Sequence, residues 1–319
     1  MPELAEVEFY RRRWWEAAAN QTVRATEANP RARVYRRLPR EFPGGAAALA
    51  KILPGAKLID AKAFGKQMMF AFKTGKNFQP ARRDPGEKPR TPYLQLGIHL
   101  GMSGELRAEP ENYRSQKHDA LILRFARHTL VFNDPRQFGR VRAWLGAGPV
   151  LAPWLQELPH EVLSTAFTAE FVQSALRRHA RAPLKALLLN QRYFCGIGNW
   201  MADEILWRAA LHPALPAGRA AEAKTAKKLH RTVQQVARDA LRVIAGRGKK
   251  LPPDLNIHIP DSWLFNHRWK NGGLCPKTKM PLRRAEIGGR TTCWSPARQK
   301  LKEAGPGQRN KIVRGGLIS

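Results

Sequence analysis

The hydrophobic periodicity of the chain changes between residues 146 and 154, and this change constrains the fold more than any other feature. Before it, apolar and polar residues alternate in short runs, which is typical of strands that bury one face. These runs are residues 22–27, 57–63, 67–73, 93–100, 120–125, 129–133 and 141–145. After it, apolar residues recur with helical spacing, in residues 169–179, 183–190, 199–209 and 220–245. The order predicts an α+β chain, in which an antiparallel β-sandwich is followed by a helical domain.

Two helices are expected within the β-rich half. The start of the chain carries one helical stripe, formed by Leu4, Val7, Arg11 and Trp14. It predicts a helix that ends near residue 20. An alanine-rich segment at 45–52 predicts a second, short helix.

The first helix begins with two residues that can carry chemistry. Removal of the initiator methionine would leave Pro2 with a free secondary amine, and an α-amino group has a reference pKa of about 7.7–8.0. Glu3 stands beside it and can move protons. A secondary amine that attacks a sugar C1′ forms an iminium, which releases the base and favours elimination at the next carbon. The alternative is that Pro2 and Glu3 only favour a helix N-terminus.

The charge of the chain indicates a polyanionic partner. Lys and Arg total 56 against 25 Asp and Glu, so the net charge is +31. This exceeds the charge that solubility requires. Ribosomal and membrane-surface proteins are also basic, so charge alone does not specify DNA.

The cysteine count and the absence of long apolar runs predict an intracellular protein. Three cysteines, Cys195, Cys275 and Cys293, are too few for a disulfide scaffold. The sequence has no apolar run of about 18 residues and no signal-peptide core.

Four short motifs follow one another along the chain. They are Pro-Glu-Leu-Ala-Glu-Val-Glu at 2–8, His-Leu-Gly-Met-Ser-Gly at 99–104, Asp-Pro-Arg-Gln-Phe-Gly at 134–139 and Gly-Ile-Gly-Asn at 196–199. Together they resemble the motifs of the formamidopyrimidine-DNA glycosylase and endonuclease VIII (Fpg/Nei) family, with its helix-two-turn-helix element. The resemblance implies a DNA glycosylase with abasic-site (AP) lyase activity that binds damaged double-stranded DNA as a monomer, away from membranes.

The resemblance implies a role for each matched residue. The catalytic set is Pro2 as nucleophile, Glu3 as acid and base, and Lys66 on the phosphate beside the damaged nucleotide. The other DNA-binding residues are Lys185, Asn199, Arg290 and His99. An enzyme that flips a base must fill the gap in the duplex, and the void-filling residues are Met102, Arg136 and Phe138. Gln137 replaces an arginine often found in the family, which softens the preference for the opposite base.

The C-terminal region departs from the family pattern. Fpg-type enzymes usually end in a four-cysteine zinc finger, but here only Cys275 matches a ligand, and Thr278, Ser295 and Arg298 stand at the other three positions. Structural zinc needs four thiolate or imidazole ligands, so we predict a zincless finger and no cofactor. Apolar packing is expected to hold this hairpin together, through Leu274, Met280, Leu282, Ile287 and Trp294.

These observations predict four segments: a catalytic sandwich at 2–150, a helix-two-turn-helix domain at 151–262, the finger at 263–298 and a basic disordered tail at 299–319. A proline-rich exposed loop is expected at 77–90.

The favoured substrates are formamidopyrimidines and 8-oxoguanine, because the void-filling set is intact. Three alternatives stay open: a Nei-like glycosylase for oxidised pyrimidines, an abasic-site lyase, and a non-catalytic architectural DNA-binding protein.

Overall fold

The computed structural model describes residues 2–75, 92–147 and 150–301. The loop predicted at 77–90 and all but the first residues of the predicted tail lie outside the described residues. Within them, no helix is both long and apolar enough to cross a bilayer.

The chain begins with helix α1, Leu4–Ala18, close to the predicted helix. Its buried face includes Phe9 and Trp14, and the Trp14 ring lies 4.9 Å from the ring of Phe70 in the sandwich. Its other side reaches the helical half of the chain, where the Arg12 guanidinium donates hydrogen bonds to the carbonyls of Ala245 and Gly246. Helix α1 therefore joins the two halves.

Two four-stranded antiparallel sheets form the predicted sandwich. The strands are β1 Ala25–Ala28, β2 Lys57–Phe64, β3 Gln67–Lys73, β4 Pro92–His99, β5 Glu105–Pro110, β6 Asp119–Arg124, β7 His128–Asn133 and β8 Arg140–Ala147. One sheet has the order β1-β6-β7-β5 and the other β2-β3-β4-β8. Two short helices, α2 Leu38–Glu41 and α3 Gly45–Ile52, lie between β1 and β2, and α3 has the predicted bounds.

The sequence did not predict strand β5. Its outward positions are charged, at Glu105, Arg107 and Glu109, while Leu106 is fully buried. An edge strand of six residues with so few apolar side chains gives a weak alternation.

The helical half follows the sandwich as predicted. Its helices are α4 Pro153–Gln156, α5 Ala169–Arg178, α6 Leu184–Leu188, α7 Asn199–Ala209 and α8 Ala223–Val243. Helix α5 is capped by the hydroxyl of Thr168, which accepts from the backbone N–H of Phe171. The turn between α6 and α7 is the predicted Gly-Ile-Gly-Asn motif.

The finger is a hairpin of strands β9 Arg283–Ile287 and β10 Arg290–Trp294. The prediction of its packing was partly wrong. Leu274 and Met280 are exposed and Ile287 is half-buried, whereas Leu282 and Trp294 are buried. The apolar cluster beneath the hairpin consists of Trp207, Leu264, Cys275, Leu282 and Cys293. Residues of the finger thus share an apolar cluster with Trp207 of α7 and with Leu264.

Arg298 also fastens the finger to α7. Its guanidinium donates to the carbonyls of Trp207 and Arg208 at 2.8 and 3.1 Å, and it lies over the Trp207 ring. Those carbonyls belong to the last turn of the helix, where backbone acceptors lack intrahelical partners. Arg298 thus supplies hydrogen-bond donors to the C-terminal end of α7. The resemblance implies a metal ligand at this position.

Candidate active site

A cavity of about 430 Å³ opens between the sandwich and the helical half. Segments from both ends of the chain line it: Pro2, Glu3, Glu6, Tyr10, Met102, Ser103, Gly104, Glu105, Asn199, Trp200, Leu255, Asn256, Phe265, Arg268, Trp269 and Arg290. Five of the predicted site residues therefore share one cavity, although their positions in the sequence span nearly the whole chain.

The Glu3 carboxylate lies at the N-terminus of α7. It accepts hydrogen bonds from the backbone N–H groups of Gly198, Trp200 and Met201, at 2.8, 2.8 and 3.1 Å. The free N–H groups of a helix N-terminus attract an anion, and here that anion is a side chain of the protein itself. A Cβ on Gly198 would lie 2.3 Å from the Glu3 carboxyl carbon, so this contact requires glycine.

Burial, together with the nearby Glu6, raises the pKa of Glu3 to about 7, against the attraction of Lys66 and the backbone hydrogen bonds. A carboxyl group with this pKa is partly protonated at neutral pH. It can therefore give a proton as well as take one.

The half-buried Pro2 is held at the cavity by its neighbours. The Glu3 N–H donates to the Glu6 carboxylate at 2.9 Å, and the Leu4 N–H donates to the Gly196 carbonyl at 3.0 Å. Glu6 also accepts from the Trp200 indole at 2.8 Å. These bonds fix the backbone on the C-terminal side of Pro2, which lines the cavity.

Lys66 follows the tight turn between β2 and β3 and is buried. Burial lowers the pKa of its ammonium group, and the carboxylates of Glu3 and Glu6 oppose that shift. The turn is docked against the helical half, because Gly65 donates to the Glu161 carboxylate at 3.0 Å and a Cβ on Gly65 would lie 2.4 Å from the Cys195 sulfur. The charge of Lys66 is thereby fixed beside Glu3.

Unlike Asn199 and Arg290, His99 does not line the cavity. Burial, with the charges of Lys66 and Arg140, lowers its pKa to about 4, so the imidazole is neutral at physiological pH. Its Nδ1 accepts from the Gly101 N–H at 3.0 Å. His99 therefore orders the loop that carries Met102, and its predicted contact with DNA stays a prediction.

Met102, Arg136 and Phe138 form an exposed group beside the cavity. Met102 is 37% and Phe138 57% exposed, and the Arg136 guanidinium lies 5.3 Å from the centre of the Phe138 ring. The two loops touch at Gly101, where a Cβ would lie 2.3 Å from the Phe138 carbonyl carbon. The three predicted void-filling side chains are thus presented together.

Asn199 and Arg290 both line the cavity. Asn199 is the first residue of α7, and its side-chain amide donates to the Thr291 carbonyl in β10 at 2.9 Å. This hydrogen bond connects the helix-two-turn-helix turn to the tip of the finger, where the exposed Arg290 lies.

Lys185 is wholly buried and does not line the cavity. Its ammonium group donates to the Asn199 carbonyl at 2.6 Å and to the carboxylate of Asp203. The phosphate contact predicted for Lys185 stays a prediction. In this structure, the side chain holds the start of α7.

Asp203 is the residue that the sequence did not single out. One carboxylate oxygen accepts from Lys185, and the other accepts from the Arg268 guanidinium at 2.6 and 3.0 Å and from the Cys293 backbone N–H at 3.0 Å. Asp203 therefore ties α6, the segment before the finger and strand β10 to α7. An aspartate within a helix gives no sequence signal for such a role.

Comparisons with known proteins agree with this architecture. Residues 1–141 match the family model of the formamidopyrimidine-DNA glycosylase N-terminal domain, and residues 158–250 match that of the formamidopyrimidine-DNA glycosylase H2TH domain. A formamidopyrimidine-DNA glycosylase of Thermus thermophilus is 32% identical over 305 residues, which cover 94% of this chain and 98% of that protein. The chain belongs to the formamidopyrimidine-DNA glycosylase family.

Other members of this family are similar in sequence or in structure. The formamidopyrimidine-DNA glycosylase of Methylobacillus flagellatus is 30% identical, over 94% of this chain and 97% of that protein. The crystal structure of Lactococcus lactis Fpg (MutM) in complex with DNA containing N7-benzyl-Fapy-dG has a TM-score of 0.71 and 24% identity, and the match covers 94% of this chain and 100% of that one. The sandwich, the helical domain and the terminal hairpin therefore form the fold of this family.

We expect Asp203→Asn to destabilise the protein by about 3–5 kcal/mol, because it leaves the buried Lys185 and Arg268 without their counter-ion. Asp239→Asn is the control: Asp239 also pairs with an arginine, Arg208 at 2.7 Å, but its side chain is 24% exposed, and the expected loss is below about 1 kcal/mol. Denaturant unfolding measures both. Equal losses would contradict a central role for Asp203.

Proposed function

We propose that this member of the formamidopyrimidine-DNA glycosylase family excises oxidised bases through a covalent Pro2 intermediate and then cleaves the strand as an AP lyase. Membership of the family makes the chain a DNA glycosylase of base excision repair that acts on damaged duplex DNA. The observation that carries the mechanism is the cavity in which Pro2 and Glu3 lie together, with the Lys66 side chain near enough to lower the pKa of Glu3. Its place of action is with the cell's DNA.

In the first step, the neutral Pro2 nitrogen attacks C1′ of the flipped nucleotide. The N–C1′ bond forms as the glycosidic bond breaks, and the base leaves with the bonding electrons and takes a proton from Glu3. The ammonium proton then passes to O4′ as the C1′–O4′ bond breaks, which gives a ring-opened iminium. A carboxyl with a pKa near 7 is suited to this donation.

In the second step, the iminium acidifies C2′. The Glu3 carboxylate takes the C2′ proton, a double bond forms between C2′ and C3′, and the 3′ phosphate leaves with the C3′–O electrons. Water then hydrolyses the iminium and restores the Pro2 amine. Lys66 beside Glu3 stabilises the negative charge that the carboxylate acquires when Glu3 gives its proton to the leaving base.

The surrounding residues would hold the opened duplex. Asn199 and Arg290 contact phosphates from the helix-two-turn-helix turn and the finger, which are connected by the hydrogen bond from the Asn199 side-chain amide to the Thr291 carbonyl. Met102 and Phe138 fill the space that the flipped nucleotide leaves, and Arg136 donates to the orphaned base.

We favour formamidopyrimidines and 8-oxoguanine as substrates, since the void-filling set is complete and the relatives carry the name formamidopyrimidine-DNA glycosylase. Gln137 adopts a left-handed backbone conformation and accepts from the Arg33 N–H, which turns it toward the sandwich. Arg136 is then the guanidinium offered to the opposite base.

We also propose that the finger contains no zinc. In the part of the chain that the structure describes, no three His, Cys, Asp or Glu side chains converge as a metal site requires. The Cys275 sulfur accepts from the Trp207 indole at 3.3 Å. Arg298 binds helix carbonyls instead, and a guanidinium is not a zinc ligand.

Blocking the Pro2 nitrogen with an uncleaved N-terminal tag should abolish borohydride trapping on a duplex that contains an abasic site, because an acylated nitrogen cannot form an iminium. Binding of the same duplex should remain nearly unchanged. The matched sample is the same protein with its tag removed to expose Pro2. Undiminished trapping by the tagged protein would contradict the mechanism.

The pH dependence should separate the two steps. Base release needs protonated Glu3, with a pKa of about 7, and neutral Pro2, with a reference pKa of about 7.7–8.0. The rate of excision should therefore peak between about pH 7 and 8 and fall on the alkaline side as Glu3 loses its proton. An abasic substrate has no base to protonate, so the rate of its cleavage should fall less on the alkaline side. Identical alkaline profiles for both substrates would count against Glu3 as the proton donor.

Metal analysis of the purified protein should find far less than one equivalent of zinc, and a chelator should leave the unfolding transition unchanged. A family member with a four-cysteine finger serves as the positive control. Stoichiometric zinc, lost together with stability on chelation, would overturn the zincless finger.

A further inference from the structure

One wall of the cavity is aromatic, and the proposed mechanism assigns no role to it. Trp269 lines it and is 56% exposed, which is unusual for so large an apolar side chain. Behind it, the Phe265 ring meets Trp269 edge-on at 5.1 Å and meets Trp200 edge-on at 5.1 Å. Trp200 in turn stacks on Trp263 at 6.3 Å. The exposed indole is therefore the outermost ring of a packed aromatic row.

Trp269 is also fixed by charge. The Arg268 guanidinium lies 4.7 Å from the centre of its ring, and the same guanidinium is held by the buried Asp203 carboxylate at 2.6 Å. An indole supported by Phe265 and by Arg268 loses little further freedom when a ligand binds to it. Its position thus depends on the same carboxylate that anchors the finger.

The chemistry of the reaction requires a base in this space. Pro2 must reach C1′, and the base attached to C1′ extends from there into the cavity that Pro2 and Trp269 both line. The volume of about 430 Å³ lies within the usual range for small-molecule sites. Across the cavity from the aromatic row, Met102 to Glu105 form the wall contributed by the sandwich.

We propose that the Trp269 indole is the surface on which the extrahelical damaged base stacks before it is released. This assignment rests on the proposed function and adds a binding subsite to it. Every base has a π face, and stacking on an aromatic side chain does not depend on the hydrogen-bonding edge of the base. Trp269 therefore increases the affinity for any base-bearing lesion and does not affect a nucleotide that has lost its base.

The experiment compares Trp269→Ala, Trp269→Leu and Trp269→Phe on two duplexes of the same sequence, one with 8-oxoguanine and one with an abasic site. Stacking on an aromatic side chain corresponds to about 5- to 150-fold in affinity for the base. We expect kcat/KM for 8-oxoguanine excision to fall by a factor in this range for Trp269→Ala, to fall almost as far for Trp269→Leu, and to be largely retained by Trp269→Phe. Cleavage of the abasic duplex should change by less than about twofold in all three, because no base is present to stack.

A second measurement tests binding without chemistry. With Glu3→Gln added to prevent turnover, Trp269→Ala should weaken binding of the 8-oxoguanine duplex and leave binding of a tetrahydrofuran duplex unchanged. Val150→Ala, at another exposed apolar residue that does not line the cavity, is the control and should leave both unchanged.

The outcomes are distinguishable. Equal losses on the damaged and abasic duplexes would mean that Trp269 supports the fold or the phosphate contacts, and would overturn the stacking assignment. No loss on either duplex, or full rescue by Trp269→Leu, would overturn it as well. Failure of the unaltered protein to cleave or to be trapped on either duplex would instead overturn the proposed function.

Discussion

The contact between the Glu3 carboxylate and the first N–H groups of α7 is the interaction on which the site depends. It places a proton-transferring group of the sandwich at the end of a helix from the other half of the chain. The same contact would be strongest for a fully charged carboxylate, but burial beside Glu6 keeps part of the population protonated. The protein thus combines a fixed position for Glu3 with a pKa near neutrality.

A second buried carboxylate, Asp203, fixes the position of the finger against α7. It neutralises Lys185 and Arg268 and accepts from the backbone of β10, one turn along the helix from Asn199. A single side chain therefore determines how the finger, the helix-two-turn-helix turn and the aromatic row lie relative to one another. Apolar packing of Leu282 against Trp207 and the hydrogen bonds of Arg298 complete the attachment of the finger to α7.

The sequence predicted the fold and five of the residues that line the cavity because those features are local or belong to compact motifs. Alternation identified seven of the eight sandwich strands and failed only at β5, whose outward positions are charged. The Pro-Glu pair and the glycine turn before Asn199 could be predicted from their residue types. Asp203 could not be predicted, since its partners come from three segments that meet only in the folded chain. The same reason explains Trp269, and it explains the finger, whose apolar cluster includes Trp207 of α7 and Leu264 from outside the hairpin.

The separation between Glu3 and its partners has a consequence for the synthesis of the protein. Glu3 and Gly198 are 195 residues apart, so a chain emerging from the ribosome carries Pro2 and Glu3 long before it carries the helix that positions Glu3. Chains grow at about 5–20 residues per second, so the interval is on the order of ten seconds or more. During that time, the carboxylate is hydrated and has an ordinary acidity. The three hydrogen bonds that hold the Glu3 carboxylate can therefore form only when translation has passed Met201, and shorter fragments cannot form all of them.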